Sequence, residues 1–203
     1  MKGTYAACIL GVAHTLAGPA FAQDQEHRFD ITPLIGWRGG GDFDRDPGQN
    51  PNIAPAESFG LALGYATDDS TRYELLYMLQ QSNIEDTDGF DLDVEHLHLG
   101  GTAAFNAGDL LVPFVSGGIG ATRFSPETGE DEARLSIALG LGTTAPLSDR
   151  VNLRFEVRGY LVSMDHDADL FCTSVPSGQH CLVRAAGSTL FQYELLAGLA
   201  LSF

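Results

Sequence analysis

The sequence predicts an all-β fold, an eight-stranded antiparallel up-and-down barrel that crosses a membrane. Three observations carry this prediction. Residues alternate at a period of two, as they do in strands with two unlike faces. One face is apolar and aromatic, whereas the other is small, polar and charged. Connections alternate between short and long. A transmembrane barrel has all three features, because its outer surface meets lipid and its interior holds polar groups.

The alternation divides the chain into segments whose lengths suit tilted strands crossing a bilayer. It is clearest in the last segment, where Phe191 and Tyr193 share one face and Gln192 lies on the other. The fourth segment changes phase between Val94 and Leu97, which predicts a β-bulge. The facing of the glycine-rich fifth segment stays ambiguous. The eight predicted strands are Phe29–Arg38, Ser58–Ala66, Arg72–Asn83, Leu92–Phe105, Leu111–Phe124, Arg134–Thr144, Val151–Ser163 and Phe191–Phe203.

The predicted connections indicate an orientation. Bacterial barrels of this type have short periplasmic turns and long extracellular loops. We therefore expect the long loops outside the cell and both termini in the periplasm. A soluble periplasmic sandwich or a lipocalin-like barrel is the alternative, but it would bury the apolar face and expose the charges. The short connections are Thr67–Thr71, Asn106–Leu110 and Ala145–Arg150; the long ones are Gly39–Glu57, Ile84–Asp91, Ser125–Ala133 and Asp165–Gly187.

The N-terminal segment reads as a signal peptide rather than as part of the fold. Lys2 precedes an apolar run, Tyr5–Leu16, and then the small-x-small pattern Ala20-Phe21-Ala22. The run is shorter than the ~20 apolar residues that a spanning helix needs. We predict cleavage after Ala22, with residues 1–22 as signal peptide and residues 23–203 as the outer-membrane barrel domain.

Charge and cysteine content narrow the possible partners. The net charge of −16 over 203 residues repels phosphate backbones, and no basic stripe occurs, so we expect no nucleic-acid binding. Cleavage would leave two cysteines, Cys172 and Cys181. An even count in an exported protein predicts a disulfide between them. Nothing in the sequence indicates a cofactor.

Charged residues are predicted to meet inside the barrel. An unpaired charge in so narrow an interior is costly, so these residues should form salt bridges. Two readings remain open: a network that plugs the lumen, or a gate that opens a small pore when the pairs exchange partners. The residues of the predicted lumen charge network are Arg72, Glu74, Arg154, Glu156, Arg158 and Glu194.

Two further patterns could carry chemistry. His96 and His98 share one face of the fourth strand and could bind a metal, but no third ligand can be assigned, and hydrogen-bonded lumen histidines are the plainer reading. We therefore predict no metal site. The run Asp42–Gly48 is not an EF-hand, because Pro47 and Ile53 stand where glycine and glutamate are required. The acidic loops form either a weak divalent-cation surface or a solvated rim.

Catalysis is not expected, and no catalytic residue is assigned. Small barrels that modify lipid A carry a reactive group or a histidine–serine pair on the membrane-facing surface. Ser136 and Ser163 have no histidine at a plausible offset, and neither a G-x-S-x-G nor a zinc-protease motif occurs. A lipid-modifying enzyme remains an alternative through cross-strand partners.

Four segments resemble the small outer-membrane β-barrel proteins of the OmpA/OmpX-like superfamily, and within it a proteobacterial group of outer-membrane barrels. The last of them ends in an alternating strand with a terminal aromatic residue, Phe203, which resembles the signal read by the barrel-assembly machinery. The segments are VPFVSGGIGATRFSP (Val112–Pro126), PLSDRVNLRFEVRGY (Pro146–Tyr160), LFC (Leu170–Cys172) and QYELLAGLALSF (Gln192–Phe203).

The resemblance implies a place in the bacterial outer membrane, with lipid, lipopolysaccharide and the assembly machinery as partners and a monomeric state. It implies a structural or surface-interaction role, with a lumen plugged by polar and charged side chains. A narrow porin-like channel for small solutes is the first alternative. A lipid A modifying enzyme is the second.

Overall fold

The computed structural model describes residues 28–41, 53–83, 91–105, 110–127, 130–164, 169–175, 178–184 and 189–203, with the backbone alone for 169–175 and 178–184. The predicted signal peptide and most acidic residues of the first, second and fourth long loops lie outside these ranges. Within the described ranges, no helix has the length and apolar character needed to cross a membrane.

Eight antiparallel strands close into a barrel in the order β1-β10-β7-β6-β5-β4-β3-β2, which confirms the predicted fold class. A separate two-stranded sheet, β8–β9, lies between β7 and β10 in sequence. The strands are β1 (Phe29–Gly40), β2 (Ala56–Ala66), β3 (Thr71–Asn83), β4 (Asp91–Ala104), β5 (Val112–Pro126), β6 (Glu132–Ser148), β7 (Val151–Ser163), β8 (Asp169–Val175), β9 (Gly178–Arg184) and β10 (Thr189–Ser202).

The barrel closes where its first and last strands meet. The backbone N–H of Phe203 donates to the carbonyl of Phe29 over 2.8 Å, and the reverse bond measures 3.3 Å. From there the β1–β10 register runs to Gly40, paired with Gln192. Closure leaves no barrel edge strand with unpaired backbone groups, which is the condition for a sheet in lipid.

The barrel places large apolar side chains outside and charges inside. Leu139 and Leu199 are 62% and 38% exposed, whereas Arg154 and Glu194 are buried in the interior. The facing predicted from the alternation is therefore the facing observed. In water this arrangement would be unfavourable, because apolar surface is exposed while ionised groups are desolvated. A lipid environment removes the first of these two costs.

The bulge predicted in the fourth strand is wrong. Register between β3 and β4, and between β4 and β5, runs unbroken through the strand. Val94 is buried in the interior and Leu97 faces out, so the backbone keeps its phase. The hydrophobic pattern shifts because the interior itself becomes apolar towards this end of the barrel.

The third predicted long loop, Ser125–Ala133, is shorter in the structure than predicted. β5 runs to Pro126 and β6 begins at Glu132, so residues 127–131 alone connect them. The polar residues assigned to a loop instead continue the strand pairing, with Phe124 opposite Glu132. The connections 84–90 and 105–111 are equally long, so the length contrast between the two ends rests on residues 41–55 and 164–188.

The β2–β3 turn shows how the sequence makes a tight connection. The Asp68 carboxylate accepts hydrogen bonds from the Ser70 and Thr71 backbone N–H groups, both at 2.9 Å, and from the Ser70 hydroxyl at 2.8 Å. Together these bonds lower the pKa of Asp68 to about 2, and the bond from the Ser70 hydroxyl has the largest effect. The turn therefore keeps its carboxylate cap down to strongly acidic pH.

The fourth long loop contains a hairpin. β8 and β9 pair antiparallel, and their backbone register sets Cys172 opposite Cys181. The cysteine side chains lie outside the described part of the chain. The predicted disulfide therefore stays a prediction, one that this register favours because cross-strand neighbours bring their Cβ atoms close.

Thiol labelling checks this prediction. Denatured mature protein that has never been reduced should not react with a maleimide, whereas reduced protein should be labelled at Cys172 and Cys181. In the chain-entropy model a loop this short stabilises the hairpin by roughly 2–3 kcal/mol. Reduction should loosen the hairpin and leave the barrel closed. Labelling of both cysteines without reduction would show that the disulfide does not form.

Candidate functional site

Four charged side chains meet in the middle of the lumen, and we call them the central quartet: Glu74, Arg154, Glu156 and Arg158. Arg154 bonds Glu74 at 2.6 Å and Glu156 at 2.7 Å. Arg158 bonds the same two carboxylates at 2.8 and 2.7 Å. All four are buried and their formal charges cancel. Each guanidinium is thus shared by two carboxylates, which is the condition for holding charges in a desolvated interior.

Strand geometry assembles the quartet from distant parts of the sequence. Arg154, Glu156 and Arg158 occupy alternate positions of β7 and so share its inward face. Glu74 reaches them from β3, which is not a neighbour of β7 in the barrel. The neighbouring strand β6 leaves space for them, because a Cβ at Gly140 would collide with the Glu156 carboxylate. Small inward residues therefore make room for the charges.

A second buried cluster lies around Glu194, and we call it the Glu194 cluster. The Arg38 guanidinium lies 2.8 Å from the Glu194 carboxylate, and neither side chain is exposed. The hydroxyls of Ser58 and Tyr160 donate to the same carboxylate. Arg38 was missed in the sequence, although the β1 alternation would have placed it on the inward face with Thr32.

Arg72 lies apart from both clusters. It lines the lumen at the end of the barrel that carries the β2–β3 turn, 3.7 Å from the Asp30 carboxylate. The structure therefore separates the six predicted network residues into three groups. Four of them form the central quartet, Glu194 pairs with Arg38, and Arg72 pairs loosely with Asp30.

The two histidines belong to a hydrogen-bonded chain. His96 bonds Thr122 at 2.7 Å, Thr122 bonds Ser136 at 2.9 Å, and Ser136 bonds His98 at 2.9 Å. The His96 ring also stacks on Tyr160 at 4.1 Å. Within the described residues, no group of three or more histidine, cysteine or acidic side chains is placed to hold a metal ion.

Ser136 does have a histidine partner, which the sequence offsets did not reveal. Ser136 and His98 are both buried in the lumen, between the walls of the barrel. A lipid substrate would lie on the opposite side of the sheet. The pair is therefore arranged as part of the interior packing and not as a reactive group on the membrane-facing surface.

Buried apolar side chains lie towards the other end of the barrel, and we call them the loop-end cap. Ile53 is held at the loop end, since the neighbouring Ala54 N–H donates to the carbonyl of Asn83, at the end of β3, over 2.9 Å. Gly41, with φ of +102°, allows the close approach, because a Cβ there would press on Ile53. The cap consists of Ile53, Leu92, Val94, Phe124, Val162, Met164 and Leu190, all buried.

The lumen contains a cavity at the end that carries the turns. A cavity of about 200 Å³ runs inward from the β2–β3 turn and reaches Glu74 and Arg154 of the central quartet. Beyond them lie the Glu194 cluster, the histidine chain and the loop-end cap, whose members are buried.

The outer surface carries two aromatic zones. At the turn end, register aligns Phe29 with Tyr65 and Tyr65 with Tyr73, and all three rings are exposed. Towards the loop end, exposed Trp37 and Tyr193 lie on the neighbouring strands β1 and β10. Between the zones the exposed side chains are largely aliphatic. Paired aromatic girdles mark the two lipid–water interfaces of transmembrane barrels.

The family model described as "Outer membrane protein beta-barrel domain" matches residues 7–175. The match covers most of the chain, and the closed barrel with its apolar exterior agrees with it. The chain belongs to this family of outer-membrane β-barrel proteins. β10, which completes the barrel, follows the matched region.

Solved structures show the same fold at low sequence identity. Neisserial surface protein A matches with a TM-score of 0.62 and 13% identity, over 86% of this chain and 97% of that one. OprG from Pseudomonas aeruginosa matches with 0.56 and 13%, over 87% and 96%. AlkL, solved in lipid bilayers, matches with 0.56 and 13%, over 100% and 97%. The search of curated proteins found no match.

Proposed function

We propose that this protein is a non-conducting barrel of the bacterial outer membrane with a structural or surface-interaction role. In this proposal the long loops face the cell exterior, while the turns and both termini face the periplasm. The observation that supports it is the burial of ion-paired and apolar side chains inside the barrel. Two ion-paired clusters and an apolar cap occupy the interior one behind the other, and each polar cluster is internally bonded.

The bonding of the central quartet supports a closed lumen. Both carboxylates already accept bonds from both guanidinium groups, so a passing ion would have to displace existing partners. Separating a buried ion pair costs about 3–5 kcal/mol when one partner is left unpaired. Beyond the quartet a solute meets the loop-end cap, which offers no polar group to replace its hydration shell.

A narrow channel is the second candidate, and one observation favours it. The turn-end cavity leads directly to the quartet, where Arg158 contacts Glu74 and Glu156 at nearly equal distances. A guanidinium shared in this way can exchange partners without becoming unpaired. Such an exchange would shift the quartet side chains and open a path past them. The loop-end cap would also have to open before a solute could cross the barrel.

Single-channel recording in planar bilayers tests the proposal. Wild-type protein should give no discrete conductance steps, because its pairs stay closed. The variant Arg38→Ala/Glu194→Ala, which empties the Glu194 cluster, should leak more than wild type. Leu139→Ala truncates a side chain on the outer surface and leaves the lumen unchanged, so it is the control. Heat-modifiable migration on gels establishes that each variant is folded. Regular steps in wild type that Leu139→Ala retains would establish the channel instead.

The remaining partners follow from the same proposal. The predicted signal peptide, residues 1–22, would direct export, and the assembly machinery would read the β10 strand with Phe203. Phe203 completes the pairing of β1 with β10 through its backbone bonds to Phe29. The proposed assembly signal therefore also closes the barrel. We propose a monomer whose outer surface contacts lipid and lipopolysaccharide. Catalysis is not part of the proposal, because Ser136 and His98 lie where lipid does not reach.

A further inference from the structure

We propose that the turn-end cavity binds a small organic ammonium ion through the Asp30 carboxylate. This goes beyond the proposed structural or surface-interaction role and does not depend on whether the lumen conducts. The cavity of about 200 Å³ has room for roughly six water molecules. It is smaller than the pockets of about 300–1,000 Å³ that hold drug-sized ligands. Its wall includes Asp30, Arg72, Glu74, Phe114, Asn152 and Arg154.

In this wall, the Asp30 carboxylate is a hydrogen-bond acceptor whose donors lie at long distances. Its side chain is 9% exposed, yet its polar contacts among the described residues are a 3.5 Å contact from the Thr32 hydroxyl and the 3.7 Å pair with Arg72. Charge-assisted bonds usually measure 2.7–2.9 Å. The quartet pairs deeper in the lumen, at 2.6–2.8 Å, show that tight pairing is attainable in this interior.

The backbone keeps Asp30 in this position. The carboxylate lies over Gly64 of the neighbouring strand, and a Cβ at Gly64 would collide with both carboxylate oxygens. Glycine thus provides the space that holds the acceptor beside the cavity. Arg72 pairs with it only loosely, at 3.7 Å, and the Arg72 side chain is itself 40% exposed.

The charge of the wall selects a cation. Glu74 and Arg154 are committed to the quartet, which is neutral as a whole. The groups left to act on a ligand are Asp30, the exposed Asp69 at the turn, and Arg72. Their sum is −1. An ammonium group donates three hydrogen bonds and can take the position that Arg72 fails to occupy, while Phe114 and Val112 contact a short alkyl chain.

Saturation-transfer NMR on the purified protein in detergent micelles tests this site, with propylammonium chloride as the probe. Wild type should give a saturable signal. Asp30→Asn should weaken binding by about tenfold or more, because it removes a charge-assisted bond. Asp149→Asn changes an exposed carboxylate in another turn at the same end and should bind as wild type does. Propionate, which has the same chain without the ammonium, should give no saturable signal.

A second variant keeps the test decisive if Asp30→Asn fails to fold. Arg72→Gln removes the competing cation and leaves Asp30 in place, so it should bind propylammonium several-fold more tightly. A purely structural Asp30–Arg72 pair would not give this increase. The proposal is overturned by absent binding in wild type, by equal binding in Asp30→Asn, by equal binding of propionate, or by unchanged or weaker binding in Arg72→Gln.

Discussion

Replacing Glu194 by leucine is expected to lower the free energy of unfolding by about 3–5 kcal/mol, because the substitution leaves the buried Arg38 guanidinium without its charge partner. Arg38 would lose its partner at 2.8 Å in a place with no exposure to water. The hydroxyls of Ser58 and Tyr160 would lose their acceptor as well. Reversible urea unfolding of the barrel in lipid vesicles measures the change.

A double-mutant cycle identifies the cause. Arg38→Met/Glu194→Leu removes both charges and should recover much of the stability lost in Glu194→Leu. Arg123→Met is the matched control, because Arg123 forms an exposed pair with Glu95 and should cost no more than about 1 kcal/mol. A loss below that value in Glu194→Leu would mean that the cluster does not hold the interior.

Leu139→Arg is expected to destabilise the barrel by about 2–4 kcal/mol in a bilayer, the cost of a cation on the lipid face near the midplane. Leu139 is near the middle of β6 and its side chain points outward. Urea titration in vesicles again measures the effect.

The control is the same substitution, leucine to arginine, at a position outside the lipid-facing part of the barrel. Leu110 is 80% exposed in the connection between β4 and β5, so Leu110→Arg should cost about 0–1 kcal/mol. Equal costs at the two positions would show that Leu139 does not contact hydrocarbon.

Strand positions and facing could be predicted because a period of two is a local property of the sequence. Alternation alone placed Arg154, Glu156 and Arg158 on one face of β7, and in the structure these three side chains contact one another. The alternation gave a wrong prediction in β4, where it indicated a bulge. The loop-end cap makes inward residues such as Val94 apolar, so a change in interior polarity resembled a change in backbone phase.

Partners across the lumen could not be predicted, because they depend on strand tilt and stagger, which determine which levels of opposite strands meet. Glu74 meets Arg154 across 80 positions of sequence, and Arg38 meets Glu194 across 156. The Ser136–His98 contact escaped notice for the same reason. Ile53 was assigned to the long connection Gly39–Glu57, whereas its side chain is buried.

The central claim is that lipid surrounds this barrel and that its polar side faces an enclosed lumen. Spin labels in a Cys172→Ser/Cys181→Ser background test it most directly, with one label at Leu139→Cys and another at Thr144→Cys, which lines the turn-end cavity. In vesicles, oxygen dissolved in the lipid should relax the label at 139, and a water-soluble nickel chelate should not. The label at 144 should show weaker relaxation by oxygen than the label at 139. The reverse pattern, with oxygen reaching 144 and the chelate reaching 139, would contradict the account.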